Sequence, residues 1–316
     1  TYDTFPMAAS KNNRNDPIYS GVSYADYRGW SAVSQALPFV EQGPLYNAIN
    51  FYFSEEIHDA VSHPVNSTIV GTVVAAFMCP SDPNVGKANN NSYHACYGTT
   101  SEWPTGPITD PSISDYQNAD GSGSTGMFAL WISYGIRDVT DGTSNTLLFS
   151  EALTGDAKGN EPTRGVGSGT PGSKYRGNGV VIPNNPSYYQ DNFESSVVAA
   201  QSMLAGIAAC AAEFANPTST NITSHRGYRW ASCTEGAMFN VAQNPNPAFN
   251  VCRPQCSANC SDNGSISLPA SSSHPGGINA TMADGSVKFL KSTVAQQTWW
   301  ALGTRAGGEV ISADQY

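Results

Sequence analysis

Ser271-Ser272-Ser273-His274-Pro275-Gly276-Gly277-Ile278-Asn279-Ala280-Thr281-Met282-Ala283-Asp284-Gly285-Ser286-Val287-Lys288-Phe289-Leu290 alternates apolar and polar residues on either side of an Asp-Gly pair. That is the strongest short-range signal for a β-hairpin. With Asp284 and Gly285 at the centre of a two-residue primed turn, Met282 faces Val287, Ala280 faces Phe289, and Ile278 lies on the same side. This face is apolar. The opposite one carries Asn279, Thr281, Ser286 and Lys288, interrupted by Ala283 and Leu290, so the ribbon is expected to cover a core on one side only. Before it, Pro275 fixes the backbone and Gly276-Gly277 permits a sharp bend. His274 reads as a pin whose ring nitrogens tie that bend to a neighbouring loop. Asp284 lies roughly 20 Å along the strand, too far to pair with it. After the hairpin, Thr293 and Gln296 have the spacing of a capping box for a short helix through Trp299 and Trp300 that Gly303 ends.

Working back from this ribbon, Val197, Ala200, Leu204, Ile207, Ala211 and Phe214 recur at spacings of three and four and predict a helix with one apolar seam, ended by Asn216-Pro217. Its length approaches that of a membrane span, but Glu194, Gln201 and Glu213 favour a packed soluble helix, with no transmembrane segment. Residues 154–192 are dominated by Gly, Pro and Asn and read as a surface excursion, with too little apolar surface for its own core and suited to contact with a neighbouring copy. Thr146 to Glu151 and Met127 to Ile136 suit strands. A helix is expected through Val70, Val73, Val74 and Phe77 until Pro80, and another from Trp30 to Glu41, broken at Pro38, with a further turn from Leu45 to Phe51.

The 316 residues suit one large domain with a sizeable core. Charged residues make up 13% of the chain, against a usual ~25%, as in secreted or surface-exposed proteins. Fifteen basic residues against 25 acidic give a formal charge of −10. There is no Lys/Arg run, which argues against nucleic acid or an anionic membrane surface as partner. The seven cysteines, Cys79, Cys96, Cys210, Cys233, Cys252, Cys256 and Cys260, read as disulfide candidates, since no second ligand pair matches the Cys252 to Cys260 cluster as a zinc site would require.

Few motifs point to chemistry. Gly167, Gly169 and Gly172 spell G-x-G-x-x-G with Lys174 close behind, yet no strand feeds the glycines and Pro171 interrupts them, so they read as loop. Asp138, Asp141 and Glu151 are candidate oxygen ligands for calcium; otherwise no cofactor is expected. The histidines His58, His63, His94, His225 and His274 form no His-Glu-x-x-His pair, and no Gly-x-Ser-x-Gly elbow is present, so the expected class is non-enzymatic. Tyr188, Tyr189, Trp299 and Trp300 are candidates for a sugar-stacking platform.

His274, nine intervening residues and Asp284-Gly285, followed by Trp299, Ala301, Leu302, Gly303, Thr304, Arg305, Gly307, Gly308 and Glu309, resemble the H-x9-DG signature of a planctomycete family similar to type II secretion pseudopilins. That family is known as domain of unknown function 1559 and also labelled bacterial solute-binding family 10. Further blocks resemble it in the same order: Thr1 to Pro6; Leu37, Pro38, Glu41, Gln42, Leu45 and Tyr46; Cys79 to Pro83; and Asp141 to Thr146 with Glu151. The resemblance implies an α+β, pseudopilin-like head with an antiparallel sheet, the C-terminal hairpin packed in it and long loop insertions. One domain over 1–316 is expected, with 154–192 inserted and 271–316 as signature region, in which His274, Gly276, Gly277, Asp284 and Gly285 are structural. The family's prepilin leader and long N-terminal helix are not among these residues. Export is implied, and with it disulfides. The expected function is a structural subunit of an extracellular pilus-like filament or surface assembly, self-associating or joined to related pilin-like subunits. The alternative is a surface-displayed module that binds glycans or other solutes.

Overall fold

A computed structural model describes residues 3–10, 29–51, 55, 65–84, 90–101, 124–130, 132–156, 169–182, 192–254 and 267–316. In chain order they form helices α1 (Ala32–Ala36), α2 (Gly43–Ala48) and α3 (Ser67–Val70), then strands β1 (Tyr93–Cys96), β2 (Phe128–Ala129), β3 (Ile132–Ser133), β4 (Leu147–Glu151) and β5 (Gly179–Ile182). Helix α4 (Val197–Ala215) follows, then β6 (Ile222–Thr223), β7 (Met238–Phe239), β8 (Val251–Pro254), β9 (Gly277–Met282) and β10 (Val287–Lys291), and finally α5 (Gln296–Gly303). The fold is α+β.

The main sheet has the strand order β10-β9-β4-β1-β7. It is antiparallel except for β1 and β7, which run parallel, so it is mixed rather than purely antiparallel. Side chains along β1 alternate between two cores: Cys96 joins Ile278, Met282, Leu290, Trp299 and Leu302 on one face, and Ala95 joins Tyr97, Met127, Phe128 and Met238 on the other. A sheet covered on both faces needs apolar residues in both phases. Alternation alone therefore under-reports such strands. A third cluster, around Trp30, Leu37, Val70, Phe77 and Trp230, gathers the N-terminal helices.

The C-terminal hairpin exists, but its register differs by one residue from the expected one. Thr281 pairs with Val287, Ala280 with Lys288 and Ile278 with Leu290. Ala283, Asp284 and Gly285 form a three-residue loop: Gly285 N donates to Met282 O at 2.9 Å, and Gly285 sits at φ +83°. This matches a type I turn closed by a left-handed glycine. The slip turns β10 over. Leu290 is buried, while Val287 and Phe289 are 67% and 49% exposed.

Three further expectations also change. The helix expected through Val70 to Phe77 is interrupted at Gly71, leaving α3 and a separate 3-10 turn over Ala75–Phe77. The expected strand Met127 to Ile136 includes two short antiparallel strands, β2 and β3. Helix α5 forms where predicted, but its N-cap is Ala295 without a side-chain cap bond, so the Thr293/Gln296 capping box is not made.

Helix α4 starts at Ser196, whose Oγ accepts from Ala199 N at 3.1 Å. Its buried seam is Ala199, Met203, Gly206, Cys210 and Phe214, rotated from the predicted one; of the residues expected inside, Val197 and Leu204 are exposed. The seam packs on a second sheet, ordered β6-β5-β8, with β5 and β8 parallel and β5 and β6 antiparallel. Strand β5 lies inside the expected surface excursion 154–192. Val180 and Val181 are fully buried, so this part of the segment is core rather than a free contact arm. Lys174, from the same segment, donates Nζ to Phe214 O at the C-terminal end of α4, where a cation also suits the helix dipole.

Glu194, just before α4, is partly buried, and its carboxyl is pushed up to about 7, first by desolvation and then by the nearby Glu309. A raised carboxyl binds its proton more tightly in the folded chain than in the unfolded one. Its contribution is present in full below the ordinary value of 4.5 and is lost as pH rises towards about 7. Urea midpoints measured across that range are expected to fall less steeply for Glu194→Gln than for the parent chain; parallel profiles would refute the assignment.

Candidate functional site

The pairing of β4 with β9 explains why separate sequence blocks belong together. The strands are antiparallel, with Ser150 opposite Ala280, so the start of β4 meets the end of β9, and the end of β4 meets the start of β9. At the first junction the Asp141-to-Thr146 turn lies against the hairpin tip: Asp284 N donates to Thr143 O at 3.0 Å and Ala283 N to Thr146 O at 2.8 Å. At the second, Glu151 closes β4 beside His274. The nine residues between His274 and Asp284 thus span one strand and its two flanks.

A third block completes the second junction. Cys79-Pro80-Ser81-Asp82 is a turn in which Asp82 N donates to Cys79 O at 2.9 Å, with proline at its second position, where its fixed φ is favoured. Asp82 is buried and anchors the turn by accepting from Asn84 N at 3.0 Å and Thr154 N at 2.8 Å. The turn presents Cys79 to Glu151, with Sγ 3.9 Å from Oε1, and His274 Nε2 lies 3.2 Å from the same oxygen. Ser81 Oγ is 3.0 Å from Cys79 Sγ and 3.5 Å from His274 Nε2. Glu151 is held from behind by Asn279, whose backbone N donates to Oε2 at 2.7 Å and whose Nδ2 donates to Oε1 at 3.2 Å.

Cys79 and Glu151 are buried, and the His274 side chain is 35% exposed. The adjoining Tyr93 phenol is pushed up, first by burial and then by Cys79 and Glu151. Cys79, Ser81 and Glu151 also line a recess of about 10 Å³. Small-molecule sites usually run to roughly 300–1,000 Å³. The recess suits an ion or a water better than a sugar.

The sequence had offered these three residues separate roles: Cys79 a disulfide candidate, Glu151 a candidate calcium ligand, His274 a pin. His274 Nε2 lies within reach of Glu151 and Ser81, on two neighbouring segments. The calcium set is not assembled. Among the described residues, the group of three or more His, Cys, Asp or Glu side chains that converges is Cys79, Glu151 and His274. Asp141 instead clamps the 304–308 turn, accepting from Gly307 N at 2.7 Å and Gly308 N at 2.8 Å, while Asp138 accepts from Gly135 N at 2.7 Å.

Of the cysteines, Cys210 and Cys252 form a disulfide that ties α4 to β8. Cys79 and Cys96 are buried thiols, and burial pushes Cys96 up to about 12. Cys256 and Cys260 lie outside the described residues, as do His58, His63, Tyr188 and Tyr189. His94 is buried, its ring 3.0 Å from Asn91 O and 3.3 Å from Met238 O, and is held well below the usual histidine range by desolvation and then by Arg226. Trp299 is wholly buried, with Nε1 donating to Gln243 O, and so offers no open stacking face, while Trp300 is partly buried in a T-shaped contact with Phe193.

No curated protein and no solved structure matches the chain. A family model does match, over residues 1–297, including all three blocks that meet at Glu151. The chain belongs to the family described as Protein of unknown function (DUF1559).

Proposed function

We propose that this chain is a non-enzymatic structural subunit of an extracellular pilus-like filament or surface assembly, self-associating through the outward side of α4. The observation that carries this reading is the burial of that helix. Only 28% of its most apolar 18-residue window is buried, and Val197, Val198 and Leu204 are 73%, 75% and 47% exposed. An apolar surface left open on a folded subunit is the expected mark of a contact. The pseudopilin-like resemblance and the low content of charge support the same reading.

By length and composition α4 would also suit a membrane. Its buried seam and its disulfide to β8 favour a helix held on its sheet, with the outer face turned to another copy. The non-enzymatic part draws support from the site. A thiol-histidine catalytic pair uses one ring nitrogen towards the nucleophile and the other towards an orienting carboxylate. Here His274 Nε2 faces Glu151 and Ser81 together.

Light scattering and negative-stain electron microscopy test the proposal on the whole chain. The parent is expected to self-associate with increasing concentration. Val198→Glu/Leu204→Glu should remain monomeric with an unchanged circular dichroism spectrum. A monodisperse parent, or a charged variant that still polymerises, would reject the contact; flotation of the parent with liposomes would replace it by membrane insertion.

A further inference from the structure

We infer that Cys79, Glu151 and His274 form a binding site for a thiophilic divalent cation, zinc first among them. The cluster supplies one sulfur, one nitrogen and one oxygen, each from a different segment, and the three donor atoms lie within 4.8 Å of one another. Tetrahedral zinc, with Zn–S ~2.3 Å, Zn–N ~2.05 Å and Zn–O ~2.1 Å, separates nitrogen from oxygen by ~3.4 Å and sulfur from oxygen by ~3.6 Å. The corresponding separations here are 3.2 Å and 3.9 Å. The sulfur-to-nitrogen separation, within 4.8 Å, has to close to ~3.6 Å, so a movement of the His274 ring by up to about 1 Å brings all three donors onto one ion.

The surroundings also suit a metal. Asn279 fixes the carboxylate through its backbone N and its side chain, the kind of outer support that metal-bound carboxylates require. Three protein ligands leave a fourth tetrahedral place for a water, and the small recess that Cys79 and Glu151 line has about the volume of one water. Donor chemistry sets the choice of ion. Thiolate and imidazole favour zinc, cobalt or copper, whereas calcium and magnesium prefer all-oxygen sets. Binding replaces the Cys79 S–H by an S–metal bond and releases that proton to solvent.

The test uses the whole chain, stripped with a chelator without reductant so that the Cys210–Cys252 bond persists. Cobalt(II) is expected to bind once per chain with a thiolate-to-metal charge-transfer band in the near ultraviolet. Zinc should displace it, and excess calcium should not. Cys79→Ser should abolish the band, and Asn279→Ala should weaken binding by ~10–100-fold while leaving the band's shape unchanged. A parent chain without the band, or a band that survives in Cys79→Ser, would overturn the site. If Cys79→Ser does not fold, peptide mapping after alkylation decides on the parent alone: zinc should protect Cys79 selectively, and equal labelling with and without zinc would overturn the inference.

Discussion

Glu235→Gln is expected to destabilise the fold by about 3–5 kcal/mol, the usual cost of removing one partner from a buried ion pair. The Glu235 side chain is 1% exposed and pairs with Arg253, 2% exposed, on β8. A second guanidinium is close. Arg226 is fully buried, its Nη1 donates to Glu235 O at 3.1 Å and Met238 O at 2.6 Å, and its Nη2 donates to Pro269 O at 3.4 Å. Burial lowers Arg226 to about 10, and Glu235 opposes that shift. Glu235 therefore balances two buried cations. Losing it removes this carboxylate from beside both, whereas Arg253→Met leaves Glu235 near Arg226. The glutamine variant should be the less stable of the two, and the double variant should recover part of the loss. Guanidinium unfolding of the four chains measures the coupling as a double-mutant cycle; a change below about 1 kcal/mol for Glu235→Gln would contradict this account.

Removing the Cys210–Cys252 disulfide, as Cys210→Ala/Cys252→Ala, is expected to cost about 2–5 kcal/mol. The bridge spans 42 residues of sequence. On the chain-entropy account, a loop of that size restricts the unfolded state by about 4 kcal/mol. Both partners lie in the core between α4 and the second sheet. Without the bridge, the packing of Met203, Gly206, Phe214 and their neighbours is left to hold α4, together with the Lys174 bond to Phe214 O. The double-alanine variant should unfold at lower denaturant and aggregate as the helix detaches. An unchanged midpoint would show that packing alone seats the helix.

Much of the element content was legible in the sequence, because local signals decided it. The Asp284-Gly285 pair announced the hairpin, Asn216-Pro217 ended α4, and the apolar run after Thr146 became β4. Choices of face and partner were less legible. Asp-Gly serves both two- and three-residue loops, and Val287 and Phe289 made the wrong register look the more apolar. In α4 the alanines blur the stripe, so two adjacent seams compete, and contact with β5 and β8 decides between them. Strand β5 was hidden because its four residues, Gly179 to Ile182, lie within a stretch whose average composition reads as loop. The candidate site follows the same pattern. Each of Cys79, Glu151 and His274 was singled out, but their meeting depends on β4 pairing with β9 and on the Cys79 turn docking beside them.

The central position of β4 bears on the order in which the chain can be completed during synthesis. A polypeptide made from its N-terminus can pair β1 with β4 early, but the strand that covers the other edge of β4 arrives much later: Asn279 follows Glu151 by 128 residues. Pairings this distant in sequence form slowly, because the ends of a long segment must first find each other. Until β9 docks, the nascent molecule carries an open strand edge, a carboxylate without its amide partners and an uncovered thiol, all in one place. Completion of the fold and concealment of these groups are therefore a single late event. A chain interrupted before His274 would display all three to chaperones and proteases.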